Sequence, residues 1–322
     1  MLIPDNGIVK VGMEIEIVKW KNSRTYQKVA ADLIKAGFMT GQPSDWETFH
    51  NYGCKCENGC GLVRSGDTIY PPLVSLTYDA SLPETGAEFV TSTVLLEENG
   101  LEELRSIWDI VVRSAVWDDQ TINKHGNRSS PSVHLHVSAL TPGAETRGIP
   151  DGKSLLHNDV IHALSLYGPE FIALASSAGY VRGLSFRKPI RNADQNGHHG
   201  FIHLRRVNSG YVYIEWRMFE AVYDNWDYIE SSAYLAASLT RQLLQPDNTI
   251  ATLMRGGYGG PFDQERLNEA VRRDDTPALL ELFSLDRLIV LRELCVNGLQ
   301  DDVRGQALLS DLFNKTEVSF GR

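Results

Sequence analysis

The sequence predicts an α+β fold: a curved, mainly antiparallel sheet with covering helices and an α-helical C-terminal part. Three observations predict it. Several short segments alternate apolar and polar residues with the period of a β-strand. Segments of helical period lie between them and can cover the apolar face of a sheet. From Asp224 onward the pattern is helical throughout.

Residues 9–20 alternate strictly, with Val11, Met13, Ile15 and Ile17 on one face, and form the first predicted strand. Ser23 then opens a helix running to about Ala36, with Tyr26, Val29, Ala30, Leu33 and Ile34 at helical spacing and Gly37 as its stop. Residues 40–71 make a Gly- and Cys-rich insertion. Strands near 73–79 and 86–92 follow, joined by the turn Ala80-Ser81-Leu82-Pro83-Glu84-Thr85. Residues 95–117 read as a helix with Leu95, Leu101, Leu104, Ile107, Trp108, Val111 and Val112 inward. A strand at 132–139 and a helix at 154–177 come next. The polar stretch from Gly179 to Gly200 holds Arg182, Arg187, Lys188, Arg191, His198 and His199, and a loop of that length usually has a function or lacks order. Strands 201–206 and 211–219 form a hairpin around Asn208-Ser209-Gly210. Helices are predicted at 225–245, 263–273, 276–283, 286–297 and 303–314. The chain divides into a core of residues 1–222 and a helical region of residues 223–322 packed on it.

The strand faces carry the functional signal. Residues two apart on a strand point to one side. Met13-Glu14-Ile15-Glu16, Val133-His134-Leu135-His136 and Ile214-Glu215-Trp216-Arg217 therefore each bury an apolar set and present Glu/Glu, His/His or Glu/Arg on the other side. Ser75, Thr77 and Asp79 share a face, Glu88 sits between Ala87 and Phe89, and His203 shares a face with Arg205. Adjoining strands would gather Glu14, Glu16, Asp79, Glu88, Glu215 and His134 together. Carboxylates so crowded repel unless cations neutralise them, and an oxygen-rich set with one imidazole suits Mg²⁺ or Mn²⁺. Arg205, Arg217 and the basic loop supply the opposite charge that phosphate requires. Acid-held metals with arginines are the equipment of phosphoryl transfer. The sequence has no G-x4-G-K-[ST] and no G-x-G-x-x-G, so another architecture must hold a nucleotide.

With 322 residues, 42% hydrophobic and 22% charged, the composition is that of a globular protein able to bury a sizeable core. The net charge of −10 argues against a nucleic-acid surface. The start, MLIPDNGIVKVG, has no basic stretch leading into an apolar one, and no apolar run approaches the ~20 residues of a membrane span, so a cytoplasmic protein is expected. Cys54, Cys56 and Cys60 cluster behind His50, with glycines that permit tight turns, and in a reducing compartment such a cluster means metal more often than disulfide. A structural Zn²⁺ on His50, Cys54, Cys56 and Cys60 is the preferred reading. Cys295 replaces His50 as fourth ligand if the C-terminal helices fold back.

The motifs resemble those of the amidoligases, carboxylate–amine ligases of the glutamine synthetase and glutamate–cysteine ligase superfamily. Met13-Glu14-Ile15-Glu16, Asp79-Ala80-Ser81 through Gly86-Ala87-Glu88-Phe89-Val90, Val133-His134-Leu135-His136-Val137-Ser138 and Ile214-Glu215-Trp216-Arg217 follow the family's order over roughly residues 9–220. The resemblance implies a catalytic funnel that binds ATP and divalent ions, and an amide bond formed through an acyl phosphate. It implies one Mg²⁺ or Mn²⁺ on Glu16, Glu88 and Asp79, with Glu84 as the alternative to Asp79. A second metal falls to Glu14, His134 and Glu215, and His136 contacts phosphate. Arg217 stabilises the transferring phosphoryl group with help from Arg205, while Arg187, Lys188, Arg191 and Arg205 are interchangeable candidates for the nucleotide. The implied partners are small-molecule, amino-acid or peptide carboxylates and amines, and an oligomer is allowed. Two other readings compete: a metal-dependent hydrolase, and a non-enzymatic binding or structural component that reuses the fold.

Overall fold

The computed structural model describes residues 8–21, 25–39, 63–65, 68–70, 74–77, 82–83, 85–116, 132–140, 163–164, 166–177, 202–206, 212–220, 224–243, 246–256, 265–267, 269–270, 273, 275–299 and 302–320. It is a mixed helix and antiparallel-sheet protein. The chain forms two compact units. One comprises Val11–His134 and Ala221–Trp226; the other comprises Met1–Lys10, Leu135–Glu220 and Asp227–Arg322. Strand Ser132–Leu140 contributes its first three residues to the former and the rest to the latter.

In the unit built on Val11–His134, strand β1 (Ile8–Ile17) pairs antiparallel with β5 (Ala87–Thr91), and β5 pairs antiparallel with β4 (Val74–Thr77). The row runs β4-β5-β1-β7, where β7 is Ser132–Leu140, and the two-residue β6 (Val94–Leu95) adds to β1. This row does not close on itself. A separate hairpin of β2 (Val63–Ser65) and β3 (Thr68–Tyr70) lies within the predicted Cys-rich insertion, where three-residue strands are too short to show an alternating pattern.

The apolar face of β1 is packed as predicted: Val11, Met13, Ile15 and Ile17 are all buried, with Phe89 opposite Ile15. Helix α1 (Tyr26–Lys35) buries Tyr26, Val29, Ala30 and Leu33 and contacts helix α2 (Glu98–Val112). Gly37, at φ 82°, stops α1 in a left-handed turn in which Phe38 N donates to the Leu33 carbonyl at 2.9 Å. The α2 face made by Leu101, Leu104, Ile107, Trp108, Val111 and Val112 is buried. The helix is shorter than the predicted 95–117, because Leu95 belongs to β6 and is 39% exposed rather than inward. Beyond it, Ala115 bridges Trp20, which ends the β1 excursion.

In the other unit the row is β7-β9-β8, with β8 (Ile202–Arg206) and β9 (Val212–Glu220) antiparallel, and this row is also open. Helix α3 spans Gly168–Ser177; of the predicted 154–177, Ala163 and Leu164 are helical as well, and 154–162 and 165 lie outside the described residues. Pro169 in a helix interior would lack its hydrogen bond and clash with the preceding turn, so the helix starts at this Gly-Pro pair instead of running through it. Helices α4 (Trp226–Leu243), α5 (Pro246–Met254), α6 (Thr276–Leu280), α7 (Leu285–Gly298) and α8 (Val303–Phe320) follow, and residues 265–267 and 269–270 of the predicted helix 263–273 are helical too. Helix α3 contacts α6 and α8, and α7 contacts α5 and α8. The Ser284 and Asp302 side chains accept from Arg287 N and Gly305 N, capping α7 and α8. Among the described residues, no helix is long and apolar enough to cross a membrane.

Candidate functional site

The polar strand faces are buried, which separates them from an ordinary solvated sheet face. Glu14, Glu16, Glu88, His134, His136, Glu215 and Arg217 each have 9% of their surface or less exposed. Ionisable groups so deeply buried are rare unless paired, hydrogen-bonded or bound to an ion.

In the unit built on Val11–His134, the β1–β5 register sets Glu16 directly opposite Glu88, and the β4–β5 register sets Thr77 opposite Glu88. Directly opposed residues share a face, so the two carboxylates form a pair across β1 and β5. Like charges placed this way destabilise a sheet, and a cation between them removes the penalty. The strand β7 adds the imidazole. His134 Nδ1 lies 2.9 Å from Glu14 Oε2, and its Nε2 lies 3.1 Å from Ser132 Oγ and 3.9 Å from Glu16 Oε1. The Ser132 hydroxyl donates its hydrogen to Glu16 Oε2 in a short contact. A hydroxyl has one hydrogen, so the Ser132 lone pairs face the imidazole. Two hard carboxylates linked through an imidazole and a hydroxyl are a donor set that suits a divalent cation of the Mg²⁺ or Mn²⁺ kind. A side chain of β5 also ties β1: Met13 N donates to Thr91 Oγ1 at 2.9 Å.

In the other unit, β9 carries Glu215 and Arg217 two residues apart, and the Arg217 Nε donates to Glu215 Oε1. His203 and Arg205 of β8 stand opposite Glu215 and Tyr213 in the register. Between Glu215 and Arg217, Trp216 is fully buried on the opposite face, and its Nε1 donates to Thr240 Oγ1 of α4 at 2.9 Å. Thr240 Oγ1 in turn donates to the Ala236 carbonyl at 2.8 Å, so the indole is held by a group that is itself held. His136, on β7, is buried.

A second buried polar cluster lies among the helices, and the sequence motifs did not indicate it. Glu170 of α3 is fully buried, and its Oε1 accepts from Ser284 N at 2.9 Å and from Arg287 Nε and Nη2 at 3.0 and 2.9 Å. Arg287 Nη2 also donates to the Leu282 carbonyl. Burial pushes the Glu170 carboxyl up to about 7, against the lowering effect of Arg287. Tyr167, whose hydroxyl donates to the Leu253 carbonyl, is raised to about 12 by burial and by Glu170. These groups tie α3 to the start of α7 and to the end of α5. Glu170 and Arg287 are 117 residues apart, so no local spacing links them.

Of the residues assigned from sequence, Asp79, Glu84, Arg187, Lys188, Arg191, His50, Cys54, Cys56 and Cys60 lie outside the described residues. Cys295 is fully buried in α7, and burial pushes its thiol pKa up. That setting favours the protonated thiol over the thiolate that zinc takes. Ser132 was not among the sequence candidates, although it shares the i, i+2 spacing of His134 and His136.

No protein-family model matches the chain. No curated protein matches it either. Among solved structures, it is similar to a crystal structure of a glutamine synthase homologue, at 12% identity and a TM-score of 0.39, over 97% of this chain and 72% of that one. It is also similar to ligand-free GmaS, at 12% identity and a TM-score of 0.41, over 98% of this chain and 70% of that one. A third is the Plasmodium falciparum glutamine synthetase, at 11% identity and a TM-score of 0.38, over 98% of this chain and 72% of that one.

Proposed function

We propose that the chain is an ATP- and divalent-metal-dependent carboxylate–amine ligase that forms an amide bond through an acyl phosphate. The observation that carries this reading is the buried pairing of Glu16 and Glu88, with His134 and Ser132 bonded into the same set. Burying that much negative charge is costly without cations, and a phosphoryl-transfer site is where such cations are used. The order of the sequence motifs supports the same conclusion, and with it the funnel form of the sheet.

On this reading Glu16 and Glu88, with Asp79 or Glu84, hold one Mg²⁺ or Mn²⁺, and Glu14, His134 and Glu215 hold another. Bound metal supplies charge neutralisation for the phosphates. Arg217, fixed by its bond to Glu215, presents a guanidinium to the γ-phosphoryl group as it passes to the substrate carboxylate and ADP departs. The amine then attacks the acyl carbon, phosphate leaves, and the amine loses a proton. His136 contacts phosphate, and Arg205, Arg187, Lys188 and Arg191 complete the nucleotide contacts. The substrates are small-molecule, amino-acid or peptide carboxylates and amines.

The test is ADP release on mixing the chain with ATP, Mg²⁺ and panels of carboxylates and amines, together with calorimetry of ATP-analogue binding. Release that requires both substrates supports the ligase. Failure to bind nucleotide with Mg²⁺ or Mn²⁺ present overturns it.

A further inference from the structure

Ser132 opens β7 and is only 2% exposed, yet its hydroxyl is the junction of the site's hydrogen bonds. It donates to Glu16 Oε2 and lies 3.1 Å from His134 Nε2, while the far side of the same ring lies 2.9 Å from Glu14 Oε2. The order serine, imidazole, carboxylate is also that of a hydrolytic triad. In a triad, however, the hydroxyl hydrogen points to the imidazole. Here it points to Glu16, which leaves the imidazole no proton to take from Ser132. The hydroxyl therefore serves to hold other groups and not to attack.

We infer that Ser132 is a positioning residue that sets the affinity of the site for divalent cations, an inference that rests on the metal assignments of the proposed function. Glu16 has rotatable bonds and two equivalent oxygens, and the hydroxyl fixes which oxygen faces β7. His134 can swing about two torsions; its Nε2–H donating to the Ser132 lone pairs fixes the ring plane and leaves the Nδ1 lone pair, beside Glu14 Oε2, for a cation. One hydroxyl thus aligns two proposed ligands that come from different strands, β1 and β7. Groups that orient metal ligands in this way commonly change metal affinity 10- to 100-fold when removed.

The experiment measures Mn²⁺ binding to the full chain by calorimetry and by electron paramagnetic resonance, without nucleotide. The variants are Ser132→Ala, Ser132→Thr and Ser132→Cys, each checked for an unchanged far-ultraviolet spectrum and unfolding temperature. Ser132→Ala should weaken Mn²⁺ binding by about 10- to 100-fold. Ser132→Thr keeps the hydroxyl and should stay within a few-fold of wild type. Ser132→Cys keeps the shape with only a weak donor, should weaken binding like alanine, and gives the same reading if alanine impairs folding. Equal Mn²⁺ affinity in wild type and the alanine or cysteine variant overturns the inference, as does an equal loss in the threonine variant. Wild-type protein that binds Mn²⁺ but no nucleotide overturns the ligase and leaves the role of Ser132 standing. Wild-type protein that binds no Mn²⁺ overturns both.

Discussion

Glu16 and Glu88 face each other across the β1–β5 pair, two carboxylates at one register position of a buried sheet face. Their mutual repulsion is a stability cost that the proposed cation would relieve. Glu88→Gln removes one charge and keeps the shape. Without metal this variant should be as stable as wild type or more so, by roughly 0.2–1 kcal/mol. With Mn²⁺ added, its rise in unfolding temperature should be much smaller than that of wild type. Thermal denaturation with and without Mn²⁺ checks both halves, and an equal metal-induced rise would count against Glu88 as a ligand.

Arg217 tests the chemistry separately from the metal. Its guanidinium pairs with Glu215, so truncation to alanine would strand a buried carboxylate and confuse folding with catalysis. Arg217→Lys retains the charge and loses the planar fork. ADP release should fall by about 10²- to 10³-fold while the spectrum of the folded chain is kept. Turnover within a few-fold of wild type would remove Arg217 from phosphoryl transfer.

Glu170 predicts a pH dependence of stability. Its carboxyl lies at about 7 in the folded chain, above the ordinary carboxyl value, so the native state holds a proton that the unfolded state has released. The contribution is full below the unfolded value and is lost as the pH climbs through about 7. Urea midpoints taken at pH 5 and pH 8 should drop for wild type, and Glu170→Gln should flatten that drop. An identical slope in the variant would show that other groups govern it.

Gly305 lies where α8 crosses α4. A Cβ there would fall 2.4 Å from Cδ1 of the buried Tyr234 ring, so the helix or the ring must move. Gly305→Ala should cost about 1–3 kcal/mol in urea unfolding even though alanine is the better helix former. A neutral or stabilising result would mean that α8 shifts freely.

The cysteine cluster makes a compositional prediction. Metal analysis of purified chain should find close to one zinc per molecule, and Cys56→Ser should lower it. Zinc-free protein of unchanged stability would refute a structural ion on His50, Cys54, Cys56 and Cys60.

The elements most legible in the sequence were those with several periods of pattern. β1 shows four apolar residues in alternation, and α2 has an apolar stripe that runs through Trp108 to Val112, so both could be identified without tertiary information. Helix α5 was hidden because Pro246-Asp247-Asn248 looks like a turn, yet proline is favoured in the first turn of a helix and Asp247 suits its positive end. The Glu, His and Arg pairs of β1, β7 and β9 could be read because i, i+2 spacing on one strand fixes a shared face. Which partner each would find could not be read, since Ser132 and Glu16 lie 116 residues apart and meet only when β1 and β7 come together.

The bond from Trp216 to Thr240 limits how β9 can change over generations. A slip or insertion of one residue would swing the indole to the face of β9 that now carries Glu215 and Arg217, and turn those two charged groups toward Thr240 of α4. Descendants of this chain can therefore vary β9 by replacing side chains but not by changing its length, and indels should collect in the stretches on either side.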